Sequence, residues 1–233
     1  MTPLWLCPLV GFAVATASPV VISNVEPRTT TSGDTLPAHD GGVYLYGVKA
    51  ERGWYFYGME YGLCKENPHD GCTNHTTGAC GFRDNHNVSI FRSPDLSQNS
   101  WMRVGSALPE NRPTAIYYRP KVLFNARTQK YVLWVNWREC LPCSLHYLTA
   151  TADSPSGPFQ LASVNVTTRF SDGGDFTVFA DDDGQGYLLY QSRASGHIAS
   201  VETLTDDFTD SLGAVDPSKY VLDQPLRDIC SAS

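Results

Sequence analysis

Positive charge is scarce in this 233-residue sequence: 17 Lys and Arg stand against 24 Asp and Glu, for a net charge of −7. No basic run or patch breaks that balance, so the electrostatic footprint of a nucleic-acid partner is missing. A membrane-spanning apolar run is missing too. The run from Leu4 to Val14 is interrupted by Pro8 and Gly11 and falls well short of the roughly 20 residues that cross a bilayer. No segment repeats apolar residues at the spacing of a helix face, which argues against a helical architecture. The one C-x-x-C, Cys140-Leu141-Pro142-Cys143, has no second copy to complete a zinc site.

What is present at the N-terminus reads as an export signal. Leu4 to Val14 has the length of a signal-peptide apolar core, and Ala15-Thr16-Ala17 supplies small residues for cleavage before Ser18. The first residues carry no Lys or Arg; a buried N-terminal strand is the competing reading. We expect a signal peptide at 1–17 and a secreted mature domain at 18–233, with no membrane partner after cleavage. Six cysteines then remain: Cys64, Cys72, Cys80, Cys140, Cys143 and Cys230. An even number in an exported chain points to structural disulfides, in a pairing that spacing does not reveal. Sequons at Asn74, Asn87 and Asn165 fit a glycoprotein.

Twelve Tyr, ten Phe and five Trp favour pleated, half-buried surfaces. They fall in short alternating runs broken by Gly, Pro, Asn and Asp. Val43–Tyr46, a polar turn and Trp54–Gly58 make one hairpin pattern. Lys121–Phe124 with Tyr131–Val135 repeat it, and Phe176–Phe179 with Tyr187–Tyr190 repeat it again. Each hairpin is followed by a further strand-like run, starting at Val88, Leu145 and Ile198 and leading into a Pro- or Asp-rich turn. Four short strands, repeated three times, is the signature of an all-β propeller whose blades stack around an axis. Propellers typically hold four to eight blades. Either the chain is a fragment of a longer protein, or further blades come from another chain.

Two carboxylates occupy matching places. Asp40 stands just ahead of the first strand of unit one, and Asp175 just ahead of the first strand of unit three. Inner strands begin near the axis, so the two side chains are expected to share one pocket; ordinary turn chemistry is the alternative. Asp181-Asp182-Asp183-Gly184 lacks the alternating ligands of a calcium loop and reads as a hairpin turn. Trp54, Trp134 and Trp137 read as packing rather than sugar platforms.

The order and spacing of Ala38-His39-Asp40-Gly41-Gly42-Val43, Trp54–Gly58, Ser93-Pro94-Asp95-Leu96, Arg119-Pro120-Lys121-Val122, Tyr131–Trp134, Ser154–Phe159 and Asp175–Phe179 with Asp181–Gly184 resembles glycoside hydrolase family 43. These are five-bladed propeller glycosidases, and the likeness is greatest to the galactan 1,3-β-galactosidase subgroup. The resemblance covers roughly residues 38 to 205 and implies about three of five blades. It also implies inverting hydrolysis of polysaccharides or oligosaccharides (β-galactosides, arabinofuranosides or xylosides) without cofactor or metal. Asp40 fits the family's general base, and Asp175 fits the Asp that orients the acid. His39, Glu60 and Arg119 are candidate substrate contacts; surface exposure is the alternative for Glu60, and Arg119 could instead reach a pocket carboxylate or form a structural ion pair. The family's acid, a Glu in the third blade's continuation or just beyond and usually within a Glu-small-Pro motif, has no match there; Asp223-Gln224-Pro225 is the near match in that region, one methylene short. Such a chain is expected to be an impaired hydrolase or a carbohydrate-binding propeller.

Overall fold

The computed structural model describes residues 20–23, 25–60, 86–139, 143–192 and 198–213. The expected signal peptide, the sequon at Asn74, every cysteine except Cys143, and Asp223-Gln224-Pro225 lie outside the described residues. The architecture is all-β, a partial propeller of antiparallel sheets. The first sheet orders β1 (His39–Tyr46), β2 (Gly53–Met59), β3 (Val88–Ser93) and β4 (Met102–Ser106) from one edge to the other. The second orders β5 (Ile116–Asn125), β6 (Lys130–Arg138), β7 (His146–Ala152) and β8 (Gln160–Ser163) in the same way. The third has three strands among the described residues: β9 (Gly173–Ala180), β10 (Gly186–Ser192) and β11 (Ile198–Thr203). Each sheet is a meander, so strands adjacent in sequence pair directly and the connections stay short. The first strand of each sheet lies innermost, with β1 against β5 and β5 against β9.

Alternation along the strands gives each blade two apolar faces, and stacking buries them. Tyr55, Tyr57 and Ile90 of the first blade pack against Tyr117, Val122, Leu133, Val135 and Leu148 of the second. The opposite face of the second blade presents Leu123, Val132, Trp134 and Tyr147 to Phe176, Val178, Leu188 and Tyr190 of the third. Trp134 is fully buried, and its indole N–H donates to the Phe208 carbonyl at 2.8 Å, which removes the cost of burying a polar atom there. Trp134 and Trp137 are thus packing residues, 0% and 7% exposed.

The blades are also pinned by polar links. His86, 1% exposed, donates from Nδ1 to the Asn87 carbonyl and accepts the Tyr117 N–H at Nε2 over 2.9 Å. This joins the entry to β3 with β5 and requires a neutral ring, because both nitrogens cannot donate. In the third blade Glu202 is fully buried, yet it accepts from the Tyr190 hydroxyl, the Arg169 N–H and the Ser211 hydroxyl. Asp181–Gly184 forms the β9–β10 turn, closed by the Asp181 N–H on the Gln185 carbonyl at 2.9 Å.

Candidate active site at the hub

The innermost strands begin earlier than alternation alone indicates, because each contains a β-bulge near its start. In β1, His39 pairs with Met59 and Gly42 with Tyr57, so Asp40 and Gly41 together oppose the single residue Gly58. In β5, Tyr118 pairs with Asn136 and Lys121 with Trp134, so Arg119 and Pro120 oppose Val135. In β9, Gly173 pairs with Ser192 and Phe176 with Tyr190, so Gly174 and Asp175 oppose Gln191. Asp40 and Asp175 therefore lie within their strands, not ahead of them. A bulge interrupts the ladder and re-aims a side chain, and the same device occurs at the same place in three blades.

The bulges set unusual backbone. Asp40 and Arg119 sit at φ of 57° and 52°, in the left-handed region that non-glycine residues rarely occupy. Pro120 fits because a bulged position need not donate to the ladder. Gly41 is required by close approach: a Cβ there would stand 1.7 Å from the Tyr57 carbonyl oxygen. Gly173 is required by the Tyr147 ring, which a Cβ would meet at 2.4 Å.

Three blades converge on one guanidinium. Arg119 Nη2 lies 2.8 Å from Asp175 Oδ1, and Arg119 Nε lies 3.8 Å from Asp40 Oδ2. Because both carboxylates lie within ion-pair distance of one planar group a few ångströms across, their nearest oxygens are at most about 9 Å apart. The cation offsets the repulsion that would otherwise separate them. The site is open: the Asp175 side chain is 73% exposed, Asp40 36% and Arg119 30%.

The neighbours of this trio come from the same strands. Lys121 Nζ donates to the Gly41 carbonyl at 3.3 Å, tying the second blade to the bulge of the first. Burial lowers its pKa, Asp40 works against that, and Arg119 adds to it. His39 precedes Asp40 and is half-buried; burial lowers its pKa, partly offset by Asp40 and the Met59 backbone, with Arg119 lowering it further. Behind Asp175, the Gly174 carbonyl accepts from Asn136 Nδ2 at 3.0 Å and from the Tyr147 hydroxyl at 3.4 Å. Asn136 is fully buried in β6, so the second blade holds the third-blade bulge from beneath as well as through Arg119.

Sequence reasoning named Asp40, Asp175, His39 and Arg119, and the fold brings all four to the hub. Glu60 is placed elsewhere. It follows β2 and turns outward across the first blade, where it accepts from the Ser89 hydroxyl on β3 and pairs with Arg103 on β4 at 3.3 Å. Both partners meet the same oxygen, Oε1. Lys121, Asn136 and Tyr147 were not foreseen as hub residues. The signal available for Lys121 was its place beside Pro120, a proline inside an otherwise regular strand.

No family model and no curated protein matches the sequence. Solved structures do. The chain is similar to an exo-β-1,3-galactanase from Phanerochaete chrysosporium solved with galactose, at 26% identity over 82% of this chain and 41% of that one, with a TM-score of 0.63. It is similar to a putative exo-β-1,3-galactanase from Bifidobacterium bifidum, at 28% identity over 80% of this chain and 54% of that one, TM-score 0.58. A family 43 β-1,3-galactosidase matches at 23% identity over 83% of this chain and 38% of that one, TM-score 0.62. The chain thus spans between 38% and 54% of the length of these three structures. Its structural neighbours include family 43 galactanases and galactosidases, and its fold is glycoside hydrolase-like.

Proposed function

We propose that this chain is a secreted, family 43-type propeller whose hub binds the non-reducing end of a polysaccharide and acts on an O-glycosidic bond with inversion, with β-1,3-linked galactosides as the first substrates to try. The observation that carries this reading is the convergence of Asp40 and Asp175, from blades one and three, on Arg119 of blade two. In this reading Asp40 is the general base that deprotonates the attacking water. Asp175 orients the acid, and Arg119 holds the two carboxylates in register. His39 and Lys121 border Asp40, and burial lowers the pKa of each. The β-galactoside preference rests on the printed activities of the similar structures; arabinofuranosides and xylosides are the other members of the panel.

Inverting hydrolysis needs an acid on the leaving oxygen and a base on the opposite face, with carboxyl groups roughly 6.5–9.5 Å apart. No Glu-small-Pro motif follows the third blade's strands in the sequence; Glu66-Asn67-Pro68 lies in the first unit, outside the described residues, and Glu60 Oε1 meets Ser89 and Arg103. General acid catalysis contributes roughly 10²–10⁴-fold, so turnover by this chain alone is expected to be low on poor leaving groups. Aryl glycosides with acidic phenols need no proton on the leaving oxygen and are the substrates of choice. Turnover of such a β-galactoside that disappears in Asp40→Asn supports the hydrolase. The unmatched acid motif favours a second reading, a propeller that binds galactan without cleaving it. Galactan retention by wild type, with no turnover of any aryl glycoside, would establish that binder instead.

A further inference from the structure

Two sequons fall among the described residues, and the fold treats them in opposite ways. In Asn87-Val88-Ser89 the amide is held by its oxygen and the third residue is buried. The Asn87 side-chain oxygen accepts the Val88 N–H at 2.9 Å and the Ser106 hydroxyl at 2.5 Å. Ser89 is fully buried in β3, donating to Glu60 and accepting from Arg103 Nε at 2.9 Å. In Asn165-Val166-Thr167, just after β8, the middle residue alone is anchored. Val166 is 4% exposed within the core between blades two and three, and its N–H donates to the Tyr147 carbonyl at 2.9 Å. Asn165 and Thr167 flank it on the exposed side, and neither side chain hydrogen-bonds to any described residue.

We propose that Asn165 carries an N-linked oligosaccharide and that Asn87 does not. The donor is a lipid-linked diphosphate oligosaccharide of the secretory pathway. A bond forms between Asn165 Nδ2 and the anomeric carbon, the bond from that carbon to phosphate oxygen breaks, the amide loses one proton, and the lipid diphosphate leaves. A glycan at Asn165 projects into solvent and disturbs neither core. At Asn87 the Ser106 and Val88 contacts fix the amide against the β3–β4 ladder and Ser89 is buried, so a glycan there crowds the ladder and chains modified there are depleted from the secreted product.

The test is expression of the full chain in a glycosylating eukaryotic host, behind an added cleavable leader so that entry does not depend on residues 1–17. Peptide-N-glycosidase treatment in heavy-oxygen water converts an occupied Asn to labelled Asp, read by peptide mass spectrometry. The expected result is label at Asn165, none at Asn87, loss of one glycan mass in Asn165→Gln and in Thr167→Ala, and no change in Asn87→Gln. Secreted protein with Asn165 unlabelled, or with Asn87 labelled in comparable yield, overturns the proposal. Neither result bears on the hub, since glycosidase activity is not the readout.

Discussion

Arg119 binds Asp175 across the boundary between two blades, Nη2 to Oδ1 at 2.8 Å, while its own backbone sits at a φ of 52°. A long cationic residue is held in a left-handed bulge so that one guanidinium reaches the carboxylates of both neighbouring blades. The strained backbone is tolerated because pairing, Pro120 and the blade stack on either side fix it.

Removing that cation should cost function more than stability. In Arg119→Met the two carboxylates face each other unscreened, and kcat/KM on an activated aryl β-galactoside, or affinity for galactan, is expected to fall at least about tenfold. Arg119→Lys should recover only part of it, since an ammonium lacks the planar fork that serves two acceptors. The pairs are partly exposed, so the melting temperature should move by no more than a few degrees. Steady-state kinetics or galactan titration beside thermal melts make the comparison.

Asp40→Asn keeps shape and removes the base. The expected loss is roughly 10²–10⁴-fold in kcat with KM little changed. An equal loss from a remote surface Asp→Asn substitution, such as at Asp153, would argue against a special role for Asp40.

Stability should fall in mild acid. His86 is buried with its pKa lowered, chiefly by burial; the Asn87 carbonyl and Glu60 oppose the shift, whereas Arg112 and His39 add to it. The unfolded chain takes up the proton near the ordinary value of about 6.5, and the folded chain only at lower pH. The contribution is thus fully present above about pH 6.5 and is lost as pH falls through the lowered folded value. His39 is shifted the same way and contributes with the same sign. Melts between pH 7.5 and 5 should show a falling midpoint, and His86→Leu should flatten that slope while lowering the midpoint at pH 7.5.

Glu202 should be a strong stability determinant without touching the hub. Glu202→Leu leaves the Tyr190 hydroxyl and the Arg169 N–H without their acceptor. A buried orphan costs roughly 1–3 kcal/mol; the Tyr190 hydroxyl is buried and the Arg169 N–H only partly so, so denaturant unfolding should register a loss of about 1–3 kcal/mol or more. Glu202→Gln keeps one acceptor oxygen and should lose less.

Gly41→Ala tests the bulge itself. The added methyl would stand 1.7 Å from the Tyr57 carbonyl oxygen, so β1 must shift. Overpacking of this kind costs about 1–3 kcal/mol, and function should fall along with stability because Asp40 moves with its bulge.

The blade repeat was legible because two-residue alternation and polar turns survive in every hairpin, from Val43–Tyr46 through Tyr187–Tyr190. The strand starts were not. Asp40-Gly41, Arg119-Pro120 and Gly174-Asp175 look like loop residues, since a bulge breaks the period that marks a strand. The equivalence of Asp40 and Asp175 was visible from spacing, but the third member, Arg119, differs in charge and went unrecognised as the same structural position. The Glu60 contact with Arg103 was not legible because Arg103 is two strands away, a pairing that only the folded sheet creates. Asn136 gave no signal at all: its place in β6 reads as an interruption of an apolar strand until Gly174 is set beneath it.

The most direct measurement is a crystal structure of the chain with a β-1,3-linked galacto-oligosaccharide. The terminal galactose should lie over Arg119, with hydroxyls within hydrogen-bond distance of both Asp40 and Asp175. An ordered oligosaccharide elsewhere with the hub empty, or the two carboxylates turned onto separate surfaces, would contradict the account.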